Sequence, residues 1–85
     1  MELIGNDKIR VASKNNAYVL KNAVDSNLIA FTIANDADNL ATIRKEGNIC
    51  YVTANERNKL GTITLQTYYD NSLIAEKNIQ IVSLW

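Results

Sequence analysis

Apolar and polar positions alternate along this chain in short runs, and clusters of Asn, Asp, Ser and Gly separate the runs. A period of two is the mark of a strand with one face buried and one face wet. Residues 8–12 (KIRVA) place Ile9 and Val11 on one face, and residues 17–22 (AYVLKN) do the same with Tyr18 and Leu20. Residues 28–34 (LIAFTIA) align Ile29, Phe31 and Ile33, and residues 40–43 (LATI) align Ala41 and Ile43. Residues 49–54 (ICYVTA) turn Cys50, Val52 and Ala54 one way and Ile49, Tyr51 and Thr53 the other. The cleanest alternation is 60–69 (LGTITLQTYY), with Ile63, Leu65, Thr67 and Tyr69 opposed to Thr62, Thr64, Gln66 and Tyr68. Residues 74–84 close the pattern with Ile79 and Ile81 inward. Seven strands joined by short turns predict an all-β sandwich or small barrel. Only 17–24 competes as a helix, and it is too short to hold one without an amphipathic continuation.

Composition strengthens the strand reading. Ile, Val and Thr fill 21 of the 85 positions, and β-branched residues suit a pleated, half-buried surface. Asn is the other excess, at 12 positions, against three Gly and no Pro. Asn tolerates left-handed backbone angles and bonds to its own local backbone, so it is expected to carry the turns. Lys45-Glu46-Gly47-Asn48 and Asp70-Asn71 read as hairpin turns. Without proline, edge protection is expected from charges such as Lys8, Arg10 and Lys77. The length fits a single domain over residues 1–85, with a radius of gyration near ~12 Å.

Charge and missing residue types narrow the function. Nine basic and nine acidic side chains give no net charge, which argues against nucleic-acid binding driven by phosphate neutralisation. Arg44-Lys45 and Arg57 with Lys59 are the only basic groupings, and Glu46 and Glu56 sit beside them. No histidine is available as a general base or metal ligand, and a single cysteine permits neither an internal disulfide nor a zinc-finger spacing. A nucleophile–base–orienter set cannot be assembled, so the chain is read as a non-enzyme with no cofactor. No apolar run approaches the ~20 residues of a membrane span, and residues 1–10 (MELIGNDKIR) lack the basic start and apolar stretch expected of a signal peptide.

Three constellations remain as candidates. Asp36 and Asp38, flanked by Asn35 and Asn39, offer hard oxygen ligands at alternating positions for calcium. Full coordination needs six to eight oxygens, and a solvated loop is the preferred reading. Tyr51 and Tyr68 are the outward tyrosines and could stack on a sugar, but ordinary strand-surface aromatics are the preferred reading. Cys50 falls on an inward face, where a thiol acts as a small hydrophobe.

The order of pieces from Phe31 to Val82 carries a resemblance. FTI at 31–33, ANDADN at 34–39, LATI at 40–43 and EGN at 46–48 are followed by YVTA at 51–54, LGTITL at 60–65, DN at 70–71 and NIQIV at 78–82. In that order they resemble the bacterial immunoglobulin-like domains of group 2, the intimin/invasin type, with Phe31 where that family usually has Trp. The resemblance implies an immunoglobulin-like Greek-key sandwich of about seven strands in two sheets. It also implies a structural or attachment module of a larger bacterial surface or phage virion protein, placed outside the cell or in the virion. The implied partners are protein neighbours in the assembly or a cell-surface glycan. A carbohydrate-binding accessory domain of a secreted enzyme and a calcium-stiffened spacer in an adhesin are the alternatives. The chain stops directly after its last strand, which predicts the C-terminal position in a parent chain.

Overall fold

A computed structural model describes residues 1–36, 39–55 and 60–83. Among the described residues eight strands form: β1 (Glu2–Ile4), β2 (Lys8–Arg10), β3 (Asn16–Lys21), β4 (Ile29–Ala34), β5 (Ala41–Glu46), β6 (Ile49–Ala54), β7 (Gly61–Tyr69) and β8 (Ser72–Val82). A 3-10 turn, Ser26–Leu28, precedes β4. The strands make two four-stranded sheets, in the orders β1-β3-β6-β5 and β2-β8-β7-β4. The chain is an all-β sandwich with a radius of gyration of 12.5 Å. Among the described residues no helix is long and apolar enough to cross a membrane.

The count exceeds the expected seven because β1 was not foreseen. Its three residues contain one inward position, Leu3, which is too little to register as alternation. Lys45 and Glu46 continue β5 instead of belonging to a turn, so only Gly47-Asn48 bends the hairpin. Residues 11 and 12 leave β2, since Ala12 takes φ 59° and Ser13 N–H closes a turn onto the Arg10 carbonyl at 3.1 Å.

Faces follow the alternation. Tyr18, Leu20, Cys50, Val52, Ile63, Leu65 and Ile79 have no exposed surface, and Ile9, Val11, Ala41, Ala54 and Ile81 are nearly as buried. Fully burying one large aliphatic side chain contributes about 1.5–3 kcal/mol, so this stripe supplies the main force of folding. Phe31, Ile33, Ile43 and Leu3 sit on the four-stranded sheets' outer strands and pack only partly against it. Asparagine carries the turns as expected. Asn15, Asn22, Asn35, Asn39 and Asn71 all take positive φ, joined by Asp70 and Ala12. Asp70-Asn71 has both central residues at positive φ between the paired Tyr69 and Ser72, the type I′ geometry that matches strand twist.

The first strand is divided between the sheets. β1 runs antiparallel to β3, then Gly5–Asp7 cross over, and β2 runs parallel to β8. Gly5 is required at the crossing: a Cβ there would overlap three ring carbons of Tyr18. The Tyr18 hydroxyl donates to the Asn6 carbonyl at 2.6 Å and fixes the crossover over the core.

Lys8 and Arg10 do lie on an edge strand, β2, whereas Lys77 does not. Lys77 is on β8, an inner strand, opposite the inward Leu65. Its stem lies along the core and its ammonium reaches Asp7 at 2.8 Å, as long cationic side chains do at an apolar margin.

Candidate functional site

Asp36 is positioned by the bend after β4. Its Oδ1 accepts the Leu40 N–H at 2.5 Å, its Oδ2 accepts the Ala41 N–H at 3.2 Å, and its carbonyl accepts the Asn39 N–H at 3.2 Å. Both carboxylate oxygens are thus turned to the backbone that starts β5, an arrangement in which a short acidic side chain closes its own loop. Asp38 lies outside the described residues. Among the described residues no three carboxylates or thiols gather at one point.

Tyr51 and Tyr68 are each half-buried, on β6 and β7 respectively, and therefore in different sheets. The Arg44 guanidinium lies over the Tyr51 ring, 4.6 Å from its centroid, close enough for a cation–π contact. Arg44 also pairs with Glu46. On the other sheet, Tyr68 stands between Ala30 and Leu73. Trp85, Arg57, Lys59 and Glu56 lie outside the described residues.

Cys50 is fully buried between Tyr18 on β3 and Lys45 on β5 in the register of its sheet. Burial pushes its thiol up from 9.0 to about 12, so the nucleophilic thiolate does not form near neutral pH. Burial also pushes the Tyr18 phenol up to about 12, with smaller contributions from Asp7 and Cys50.

A feature that single-residue reasoning missed lies on the outer face of β7. Thr32 Oγ1 meets Gln66 Oε1 at 3.3 Å, and Gln66 Nε2 donates to Glu76 at 3.0 Å. One row further, Asn35 Nδ2 donates to Thr64 Oγ1 at 3.1 Å, which in turn bonds Asn78 Oδ1 at 2.9 Å. One hydrogen-bonded row therefore crosses β4, β7 and β8, and a second joins Asn35, just past the end of β4, to β7 and β8, with Tyr68 on the other side of the first row. The signal was the alternation Thr62, Thr64, Gln66, Tyr68, which announces one polar face but not its cross-strand partners.

Apolar side chains also remain outside. Val24 is 95% exposed on the loop before the 3-10 turn, and Leu28 and Leu73 are exposed nearby. That end is held together by the Asp25 N–H on the Tyr69 hydroxyl at 3.1 Å and the Asp70 N–H on the Leu28 carbonyl at 3.0 Å.

Comparison with protein-family models, with curated proteins and with solved structures finds no match to this chain.

Proposed function

We propose that the chain is a non-enzymatic, immunoglobulin-like module that serves structure or attachment in a larger bacterial surface or phage virion protein. The strand order supports the fold part. With β1 and β2 taken as halves of one first strand, the count becomes seven. One sheet then carries the first half of strand one with strands two, five and four, and the other carries the second half of strand one with strands three, six and seven. Apart from the divided first strand, this order is the one expected of a constant-type immunoglobulin sandwich with Greek-key connections, and it supports the reading.

The observation that carries the functional part is the parallel pairing of β2 with β8. These strands lie near opposite ends of the described chain, and their ladder is extended by the Gln80 N–H on Asp7 O at 2.8 Å and the Val11 N–H on Val82 O at 2.9 Å. Tension applied at the two ends pulls parallel neighbours past each other, so the bonds of the ladder are loaded together instead of opening one by one. A module that transmits force between neighbours needs this geometry. Single-molecule pulling on the domain between two marker modules tests it. The expected trace shows one unfolding event at a force well above that of hairpin peeling, lowered by Val11→Pro, which removes the bond to Val82. Unfolding at peeling force would refute the reading.

The two polar rows beside Tyr68 favour a second reading, attachment to a neutral glycan on the outer face of β4-β7-β8. Hydroxyls and amides held in register suit sugar hydroxyls, and a tyrosine supplies a stacking surface. Oligosaccharide titration followed by NMR tests it: saturable shifts at Thr32, Gln66, Tyr68 and Asn78 are expected, and unmoved spectra would dismiss it.

A further inference from the structure

Four strands form the margins of the two sheets, and only one of them is undefended. β1 and β2 have three residues each and carry Glu2, or Lys8 and Arg10. β5 carries Arg44, Lys45 and Glu46. β4 is six residues long, IAFTIA, with no charge, no proline and no register shift against its one neighbour, β7. Edge strands in native proteins are ordinarily shortened, charged or bent, because a bare edge templates another strand.

The hydrogen-bond phase of β4 follows from its pairing. Antiparallel partners alternate between pairs that exchange bonds and pairs that do not. The Asp70 N–H bonds Leu28 O, one step beyond the pair Ile29–Tyr69. Even-numbered residues of β4 therefore bond β7, and Ile29, Phe31 and Ile33 turn their N–H and C=O groups to the open edge. These three also face the core side, and Phe31 and Ile33 remain partly uncovered there.

We infer that β4 pairs antiparallel with β4 of a second copy about a two-fold axis at Phe31, joining two four-stranded sheets into one. The sequence around that axis is chemically symmetric: Ile29 and Ile33 at equal distances, Ala30 and Thr32 between. Phe31 meets Phe31 of the second copy, and each Ile29 meets the other copy's Ile33. All three are pairs of bonding phase, giving about six new backbone bonds at two per pair. The axis, perpendicular to the sheet, keeps the apolar side chains on the core side and sets Ala30 opposite Thr32 on the outer side. The ends agree in charge. Lys45 Nζ bonds Ser26 O beside the start of β4 at 2.9 Å, and Asp36 follows its end, so the axis brings each ammonium toward the other copy's carboxylate. Zero net charge leaves no long-range repulsion between copies.

Sedimentation equilibrium and amide exchange of the purified chain over a concentration series test the pairing. A dimer is expected, with Phe31 and Ile33 amides becoming protected as concentration rises while Thr32 and Ala34 are protected throughout. A30K/T32K sets lysines directly opposite one another across the axis and is expected to weaken dimerisation roughly tenfold or more. A30E/T32K replaces those repulsions by attractions and is expected to restore it. Thermal melts of both variants confirm that the monomer still folds, because positions 30 and 32 are exposed. A monomer at every concentration with freely exchanging Phe31 and Ile33 amides would overturn the proposal. So would a dimer indifferent to A30K/T32K, or one that A30E/T32K fails to restore.

Discussion

One inward row of side chains spans the sheet β1-β3-β6-β5 and ends differently on its two sides. It runs from Tyr18 on β3 through Cys50 on β6 to Lys45 on β5. At each end a polar tip reaches a backbone carbonyl that leads into the other sheet: Tyr18 to Asn6 at 2.6 Å, Lys45 to Ser26 at 2.9 Å. On the Tyr18 side the chain itself crosses between the sheets, and the phenol is buried beneath the crossing. On the Lys45 side the chain passes from β4 to β5 with no strand divided between the sheets, the lysine is exposed, and the β4 edge beside it has no strand partner among the described residues. A strand divided between the sheets seals its margin with apolar packing, whereas the margin where β4 leads into β5 by a turn ends in a solvated ammonium and leaves a strand edge available. The difference explains why the closed side holds the shear ladder and the open side holds the pairing edge.

The sharpest way to break the closed side is Gly5→Ala. The added Cβ would collide with the Tyr18 ring, which is fully buried and cannot step aside. A loss of about 3 kcal/mol in urea unfolding is expected, at the upper range for overpacking. Gly61→Ala is the matched control: its Cβ would meet only the flexible tip of Leu40 at 2.7 Å, so less than about 1 kcal/mol is expected. Equal losses would mean that the crossing does not depend on Gly5.

Tyr18→Phe tests the same margin more gently. It deletes one hydrogen bond to Asn6 and is expected to cost about 1–1.5 kcal/mol. Alkali adds a second reading. Cys50 and Tyr18 are raised from 9.0 and 10.0 to about 12. A raised folded pKa means that the contribution is intact below the unfolded value and is lost as pH climbs toward the folded one. Urea midpoints are therefore expected to fall from about pH 9 upward and more steeply beyond about pH 10. Tyr18→Phe removes the steeper portion, and Cys50→Ala removes the earlier onset. A midpoint that is flat up to pH 12 would contradict both shifts.

These margins also mark where sequence stops speaking. The inward faces of seven strands were legible, because burial imposes period two locally. The Asn-led turns were legible for the same reason, since positive φ is a property of a single residue. The split first strand was not. β1 has one inward residue, and the parallel β2–β8 pairing joins positions about 70 residues apart that no local pattern links. Lys77 was taken for an edge guard, because a charge in a strand reads as outward; its long stem instead lets it face inward and surface at Asp7. Asp36 reads as part of a solvated loop with calcium as the lesser alternative, and composition could not show the Leu40 and Ala41 amides that its carboxylate accepts. Tyr51 and Tyr68 were legible as outward residues from alternation, whereas their division between the sheets follows from the placement of β6 and β7.

On the open side, Thr67 supplies a test of opposite sign. It faces inward on β7 opposite Phe31, is fully buried, and its Oγ1 has no hydrogen-bond partner. An unpartnered buried hydroxyl costs desolvation that a methyl does not. Thr67→Val keeps the shape and is expected to raise stability by about 1 kcal/mol. If β4 dimerises, the gain leaves the dimer intact, because the change alters no edge group. A loss of stability would mean that the hydroxyl is satisfied in solution.

The smallest effect is expected at the ion pair beside the crossover. Lys77 pairs with Asp7, whose side chain is 79% exposed, and that hydrogen bond is the first cause holding the Asp7 carboxyl below its ordinary 3.8. A lowered folded pKa gives a contribution present above the unfolded value and lost as pH falls through the folded one. Asp7→Asn should therefore lower the urea midpoint slightly at neutral pH. The gap to the parent protein should hold down to about pH 4, close under further acidification, and narrow with added salt. Because Asp7 stands at the crossing and Lys45 at the open margin, Lys45→Ala is the mirror experiment. Its bond within the chain runs to a carbonyl, so at concentrations where the chain is monomeric its effect should not follow any carboxyl titration. A Lys45→Ala gap that closed on acidification like that of Asp7→Asn would erase the distinction between the two margins.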